Sequence, residues 1–160
     1  MITKKKIISL AVIAQCLICG LVSCGTLGGI GYGIYFPISK KKLEIAMDSL
    51  YMKHPEYKIP KDWGKFNNWS ERGYDFLESK IFYFKSSPEE MYYVTFIGDS
   101  TALASTTKIG IGIRALNKGS YKWLLNDDLD SKEKERIEKR FDDEIISKLE
   151  EYTKTKALKE

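Results

Sequence analysis

Three cysteines lie close together near the start of the chain, in the stretch CLICGLVSCGTLGG. Cys16 and Cys19 have the spacing of a redox pair or of two metal ligands. A structural zinc site needs about four ligands, yet Cys24 is the one remaining cysteine and His54 the one histidine. Because the surroundings are continuously apolar, we interpret Cys16 and Cys19 as small apolar residues of a membrane-inserting segment. We expect no metal and no other cofactor.

The residues around these cysteines have the order of a secretory signal sequence. Residues 4–6 are lysines, residues 7–22 are apolar apart from Ser9 and Gln15, and small residues follow. This order predicts that the segment directs export while the lysines remain on the cytoplasmic side.

Within this signal, Leu21-Val22-Ser23-Cys24 resembles a bacterial lipobox: an aliphatic residue, a tolerant position, a small residue and then cysteine. The resemblance identifies the chain as a bacterial lipoprotein precursor. It implies diacylglyceryl transfer to the thiol of Cys24 and cleavage between Ser23 and Cys24. Many such proteins are then acylated at the new amino group. Cys24 fits because Ser23 is small, whereas the other two cysteines follow glutamine and isoleucine.

The same resemblance implies a location. A lipidated Cys24 would hold the protein at a membrane of the cell envelope, on its periplasmic side. The residue after Cys24 is Gly25 and not the aspartate that retains some lipoproteins at the inner membrane, which favours the outer membrane.

An uncleaved transmembrane helix is the alternative to a cleaved signal. The apolar tract can be extended over residues 7–36, and Gly25, Gly29 and Gly33 have the spacing of a helix-packing face. A membrane span needs only about 20 residues, however, and a glycine-rich second half forms a poor helix. These properties favour cleavage and lipidation.

The positive charge of the chain belongs mostly to the signal. The formal charge is +4, but without the three signal lysines 23 basic side chains face 22 acidic ones and the charge falls to +1. A near-neutral domain gives no support for binding nucleic acid. The sequence thus divides into a signal peptide (1–23), a lipidated cysteine with a glycine-rich tether (24–38), a small domain (39–153) and a frayed tail (154–160).

Hydrophobic periodicity predicts an α+β domain. Ser39 suits the N-cap of a first helix, and Asp130 precedes a long C-terminal helix with apolar residues at every fourth position. Between them, an antiparallel sheet of three or four strands is predicted, at residues 81–85, 91–97 and 108–114, with a short fourth strand within 121–125. Gly110 and Gly112 alternate with isoleucines in the third strand, and we expect an aromatic ring to lie over them.

Four aromatic residues in an irregular polar stretch form the candidate binding surface: Trp63, Phe66, Trp69 and Tyr74. Exposed on a loop, they could bind an envelope protein or a glycan, and buried they would be the core of a small domain. We expect burial.

The sequence shows no recognisable combination of catalytic residues. His54 lies at a predicted helix end before Pro55, where imidazolium suits the helix dipole. The acids Asp127, Asp128 and Asp130 lack the glycine and glutamate of a calcium loop and are expected to precede a helix N-terminus. The sequence therefore favours a non-catalytic binding domain, with a carboxylate-based envelope hydrolase as the alternative.

Overall fold

The computed structural model describes residues 29–73 and 77–160, which form an α+β fold with one antiparallel sheet. Its strands are β1 (Ile30–Phe36), β2 (Ser79–Phe84), β3 (Glu90–Ile97), β4 (Ile109–Asn117) and β5 (Leu158–Lys159). The helices are α1 (Lys40–Lys53), α2 (Ser100–Leu103), α3 (Ser131–Phe141) and α4 (Ser147–Thr153), and the π-helical segment Asp142–Ile146 joins α3 to α4. The strand order is β2-β3-β4-β1-β5, and every neighbouring pair is antiparallel.

The segment expected to be a tether contains the first strand of the sheet. β1 pairs with β4 on one side and with β5 on the other, and the side chains of Ile30, Ile34 and Phe36 are buried. The expected tether of residues 24–38 is therefore wrong from residue 30 onwards. The physical reason is that the apolar residues between the glycines fill the core. Gly31 has a positive φ of 74° at the point where the pairing with β4 changes register.

The C-terminal residues also belong to the sheet. β5 pairs with β1, and Gly33 and Glu160 exchange two backbone hydrogen bonds of 2.9 and 3.0 Å. Lys108 forms an ion pair with Glu160 at 2.7 Å. The expectation that residues 154–160 fray is wrong, because backbone pairing holds a polar tail that buries little apolar surface.

The helices begin where the sequence indicates. The Ser39 hydroxyl accepts a hydrogen bond from the backbone N–H of Lys42, and α1 ends at Lys53 ahead of Pro55. The Asp130 carboxylate accepts from the N–H of Glu133 at 2.8 Å and caps α3. β1 precedes α1, however, so the folded domain starts with a strand and not with a helix.

The sheet separates two cores of different composition. On one face, α1 and the α3–α4 unit cover β1, β2, β3 and β4 with aliphatic and phenylalanine side chains, including Leu43, Leu50, Phe82, Ile111 and Phe141. On the other face, the irregular segment 57–73 and the loop after β4 form a second core, which contains all three tryptophans of the chain. Both faces of β2 and β3 are covered, as their two-sided apolar character predicts.

The region predicted as a fourth short strand contributes a single bridge. Leu124 exchanges two backbone hydrogen bonds with Leu116 of β4, at 2.8 and 2.9 Å. The Trp123 indole donates to the Phe66 carbonyl at 2.9 Å. The stretch 121–125 therefore closes the second core and does not extend the sheet.

Candidate functional site

The aromatic residues singled out from the sequence form the second core and not an exposed surface. Trp63, Phe66 and Trp69 are each 8% exposed. The ring of Trp69 stacks on Tyr93 with centroids 4.2 Å apart and contacts Trp123 at 5.3 Å. The expected burial is thus confirmed for these three residues, and an exposed aromatic surface made of them is excluded. Tyr74 lies outside the described residues.

A pocket of about 440 Å³ opens at the border of this second core, beside the edge strand β2. Its aromatic walls are Tyr51, Trp69 and Tyr93, and its aliphatic walls are Ile59, Leu77 and Ile81. The apolar walls exist because the chain crosses from the helix face to the other face around the edge of β2 and leaves a gap there. Of the three candidate aromatic residues that the structure describes, Trp69 lines this pocket and Trp63 and Phe66 do not.

Among the described residues, the polar lining of the pocket carries positive charge and no acid. It consists of Lys58, Lys80, Asn67, Ser70 and Ser79. Lys80 forms an ion pair with Asp48 at 2.9 Å, whereas the exposed Lys58 has no ion pair within the described part of the chain. This combination of apolar walls and a few polar groups is typical of a binding site.

Tyr51 fixes the position of the pocket wall. Its hydroxyl donates to the carbonyl of Ile81 at 2.8 Å, and its ring stacks on Phe82 at 5.3 Å. Burial raises the pKa of Tyr51 well above its ordinary value, with a smaller contribution from the nearby Asp48 carboxylate. The phenol therefore stays neutral and acts as a donor at any physiological pH.

A buried carboxylate, Glu90, ties the β2–β3 hairpin to α3. Arg136 donates to both carboxylate oxygens, at 2.8 Å each, and Arg140 and the Tyr92 hydroxyl donate to Oε1 at 2.8 and 2.6 Å. Arg140 also donates to the carbonyl of Pro88 at 2.6 Å. These partners satisfy the fully buried Glu90 charge, and the arrangement serves the fold.

Among the carboxyl groups of the described residues, Glu138 comes closest to a general acid, because its pKa is raised. Burial raises its pKa, and the Asp142 carboxylate raises it further. The backbone N–H of Tyr32 donates to Glu138, while the Tyr32 hydroxyl donates to Asp142 at 3.1 Å and Lys159 pairs with the same Asp142 oxygen. All of these groups hold α3 and its π-helical continuation against β1 and β5, so their immediate role is structural.

A second pocket, of about 350 Å³, is lined by Gly110 of β4 together with Tyr35 and Ile97. The ring of Tyr35 covers Gly110, where a built Cβ atom would approach Tyr35 Cε1 to 2.5 Å. The aromatic cover predicted for Gly110 is confirmed, although the ring comes from β1. Gly112 is covered by Ile97 instead of a ring, so the prediction is wrong there.

The remaining titratable residues singled out from the sequence are engaged in local structure. His54 follows α1, and its Nδ1 lies 3.0 Å from the Glu56 carboxylate. Asp128 accepts from the backbone N–H of Leu125 and pairs with Lys122, each at 2.9 Å. In the described part of the chain, no cluster of His, Cys, Asp or Glu side chains is suited to hold a metal ion.

The lipidation and cleavage residues Ser23 and Cys24 lie outside the described residues. Residues 29–73 and 77–160 contain no helix with the length and apolar character that a membrane span needs. No match to the chain was found among family models, curated proteins or solved structures. Any functional assignment therefore depends on the site and the signal residues themselves.

The sequence did not indicate the pocket at β2. By residue type, Tyr51 and Ile81 suit a core and the lysines at 58 and 80 suit a surface, so the sequence does not indicate that they meet. The pocket arises from the route of the irregular segment around the sheet edge, which has no periodic pattern. The short length of β2 is compatible with an edge strand. It does not indicate which parts of the chain lie beside that edge.

Proposed function

We propose that this protein is a bacterial envelope lipoprotein. In this proposal it is cut before Cys24, anchored through lipid on that cysteine, and displays a small non-catalytic binding domain on the periplasmic side of a membrane. The pocket beside β2 is the binding site of the domain. The signal residues support the anchoring, and the open pocket with its apolar walls and cationic rim supports the binding role.

The observation that carries the proposal is the lipobox-like Leu21-Val22-Ser23-Cys24 behind a basic and apolar segment, and its distance from the sheet limits how far the domain would lie from the membrane. β1 begins at Ile30, so the five residues 25–29 separate the anchor cysteine from the folded domain. Fully extended, this connection spans at most about 22 Å. The domain would therefore lie close to the bilayer, and its partner would have to come to the membrane.

Two lipid chains or more would suffice for stable anchoring. Each buried methylene contributes about 0.8 kcal/mol, and a single chain gives only reversible attachment. A diacylglyceryl group on Cys24 meets this requirement without any contribution from the domain.

Metabolic labelling tests the anchor. Bacteria that express the full-length chain are grown with labelled palmitate, and the protein is isolated from the membrane fraction. We expect label in the wild type and in Cys19→Ala, which keeps the lipobox, and no label in Cys24→Ala. Label that persists in Cys24→Ala would contradict the proposal.

The alternative of a single-pass transmembrane anchor makes a different prediction. An uncut wild-type chain without label, held in the membrane by its apolar segment, would support it. Residues 30–36 are a strand, so such a span would have to end before them.

The alternative of a carboxylate-based envelope hydrolase depends on Glu138, because a carboxyl with a raised pKa can donate a proton. The hydrogen bond from Tyr32 and the packing of the Glu138 side chain on Gly31 tie that group into the α3–β1 contact. The binding function is therefore the better supported of the two.

A further inference from the structure

The outer edge of β2 presents backbone groups to the pocket. The N–H of Phe96 donates to the carbonyl of Glu78 at 3.4 Å, which marks this pair as a hydrogen-bonded one in the β2–β3 ladder. Such pairs alternate along an antiparallel ladder, so Lys80 bonds to β3 while Ser79 and Ile81 point their backbone groups outwards. The hydrogen bond from Tyr51 to the Ile81 carbonyl agrees with this phase.

Part of this edge is unpaired. β2 is the terminal strand of the sheet, and Ser79, Lys80 and Ile81 are half-buried, whereas Phe82, Tyr83 and Phe84 are buried. By this phase the backbone groups of Ser79 and the N–H of Ile81 lie outside the β2–β3 ladder, whereas the Ile81 carbonyl accepts from the Tyr51 hydroxyl. An edge of this kind is a template for another extended chain.

The aromatic side chains of the pocket do not offer a platform for a sugar ring. Trp69 and Tyr93 are stacked on each other and only 8% and 2% exposed, and the ring of Tyr51 stacks on Phe82 and has the Lys80 ammonium over it. A glycan-binding ring needs an open face, and these rings already contact other side chains. The groups that remain available are backbone donors and acceptors, the aliphatic walls and Lys58, because Lys80 is paired with Asp48.

We infer that the β2 edge and its pocket bind a short extended segment of an acidic partner protein. The segment would add to the sheet through the outward N–H and carbonyl of Ser79 and the N–H of Ile81, because the Ile81 carbonyl already accepts from Tyr51. Its apolar side chains would contact Ile59 and Leu77, and a carboxylate would face Lys58. The charge argument rests on Lys58, which has no ion pair within the described part of the chain, because Lys80 already pairs with Asp48.

This inference rests on the proposed binding role of the pocket, but not on lipidation of Cys24. The test uses the full-length chain as it is isolated from the bacterial membrane fraction, in detergent micelles and labelled with ¹⁵N. The probe is the capped peptide Val-Glu-Val-Glu-Val, and the matched probe Val-Lys-Val-Lys-Val carries the opposite charge. We expect the acidic peptide alone to shift the amide signals of Ser79 and Ile81, and added salt to weaken its binding.

Two variants examine the charge and the backbone contact separately. Lys58→Glu is expected to weaken binding of the acidic peptide about tenfold. Lys61→Glu, an exposed lysine outside the pocket, is the matched control and is expected to leave binding unchanged.

Ser79→Pro removes an outward N–H at the first residue of an edge strand, a position that tolerates proline. Ser79→Pro should abolish the peptide-induced shifts of the pocket amide signals. Its midpoint of urea unfolding should stay close to that of the wild type.

Equal binding of the two peptides, or shifts confined to the Tyr35–Gly110 pocket, would overturn the inference. The disaccharide of N-acetylglucosamine is a third probe. If it shifts the pocket amides and the acidic peptide does not, the binding role stands and the peptide inference fails. If no probe shifts a pocket amide at millimolar concentration, the inference and the binding half of the proposed function both fail.

Discussion

At the scale of single residues, Glu90 is the side chain whose charge the fold depends on most directly. Its carboxylate is fully buried and bonded to Arg136, Arg140 and Tyr92. Glu90→Gln keeps the shape but leaves two guanidinium groups facing a neutral amide. We expect a loss of about 3 kcal/mol in the free energy of unfolding.

Urea unfolding followed by tryptophan fluorescence measures this loss, because all three tryptophans lie in the second core. The neighbouring exposed residue provides the control. Glu89→Gln should change the free energy of unfolding by less than about 0.5 kcal/mol. Equal effects of the two substitutions would show that the buried ion pairs do not stabilise the fold.

Glu133 makes the free energy of unfolding depend on pH in the acidic range. Hydrogen bonds from Arg136 lower its pKa from 4.5 to about 2, with Lys118 adding to the effect. A lowered pKa in the folded state stabilises the fold above the ordinary pKa, and this contribution is lost as the pH falls towards 2. We therefore expect Glu133→Gln to be less stable than the wild type at neutral pH, with the difference shrinking between about pH 5 and pH 2.

The measurement is the free energy of unfolding at a series of pH values for both proteins. Glu135→Gln, an exposed neighbour on α3, is the control and should match the wild type throughout. A constant difference between Glu133→Gln and the wild type down to pH 2 would contradict the assigned pKa.

At the scale of elements, the bulge in β1 depends on a glycine. Gly31 has a φ of 74°, and a built Cβ atom there would lie 1.7 Å from the carboxylate of Glu138. Gly31→Ala should therefore destabilise the domain by at least about 1 kcal/mol. Gly64→Ala, where a Cβ meets nothing within 4 Å, should change stability by less than about 0.5 kcal/mol. A harmless Gly31→Ala in the same urea measurement would contradict the described conformation of β1.

Local signals predicted several elements well. The Ser39 and Asp130 caps, the hairpin of β2 and β3 and the alternating isoleucines of β4 are each encoded within a few residues. Such caps and alternations reflect the chemistry of single helices and strands, so they can be read without knowing the fold.

The misassigned elements depend on partners far away in the chain. The glycines of β1 suggest a flexible tether. Pairing with β4 and β5 nevertheless holds this segment in the sheet as a strand. β5 has two residues and little apolar surface, so it becomes a strand only beside β1. The pocket is likewise made by five separate stretches of chain, and no local pattern encodes their meeting.

At the scale of the whole molecule, the strand that follows the proposed anchor cysteine and the strand beside the pocket lie at different positions in one sheet. β1 carries the connection to Cys24, and β2 lies three strands away from it. At about 4.8 Å per strand this is about 14 Å. Anchoring through β1 therefore leaves the outer edge of β2 available to a partner near the membrane.

The intact mass of the mature protein tests the central claim most directly. The full-length chain is expressed in bacteria and purified from the membrane fraction, with Cys24→Ala as the control. The account predicts that the wild type has lost residues 1–23 and carries the added mass of a diacylglyceryl group on Cys24, with or without an acyl group on its amino nitrogen. The control should retain its N-terminus and carry no lipid. A wild-type mass equal to that of the uncut chain without lipid would contradict the account.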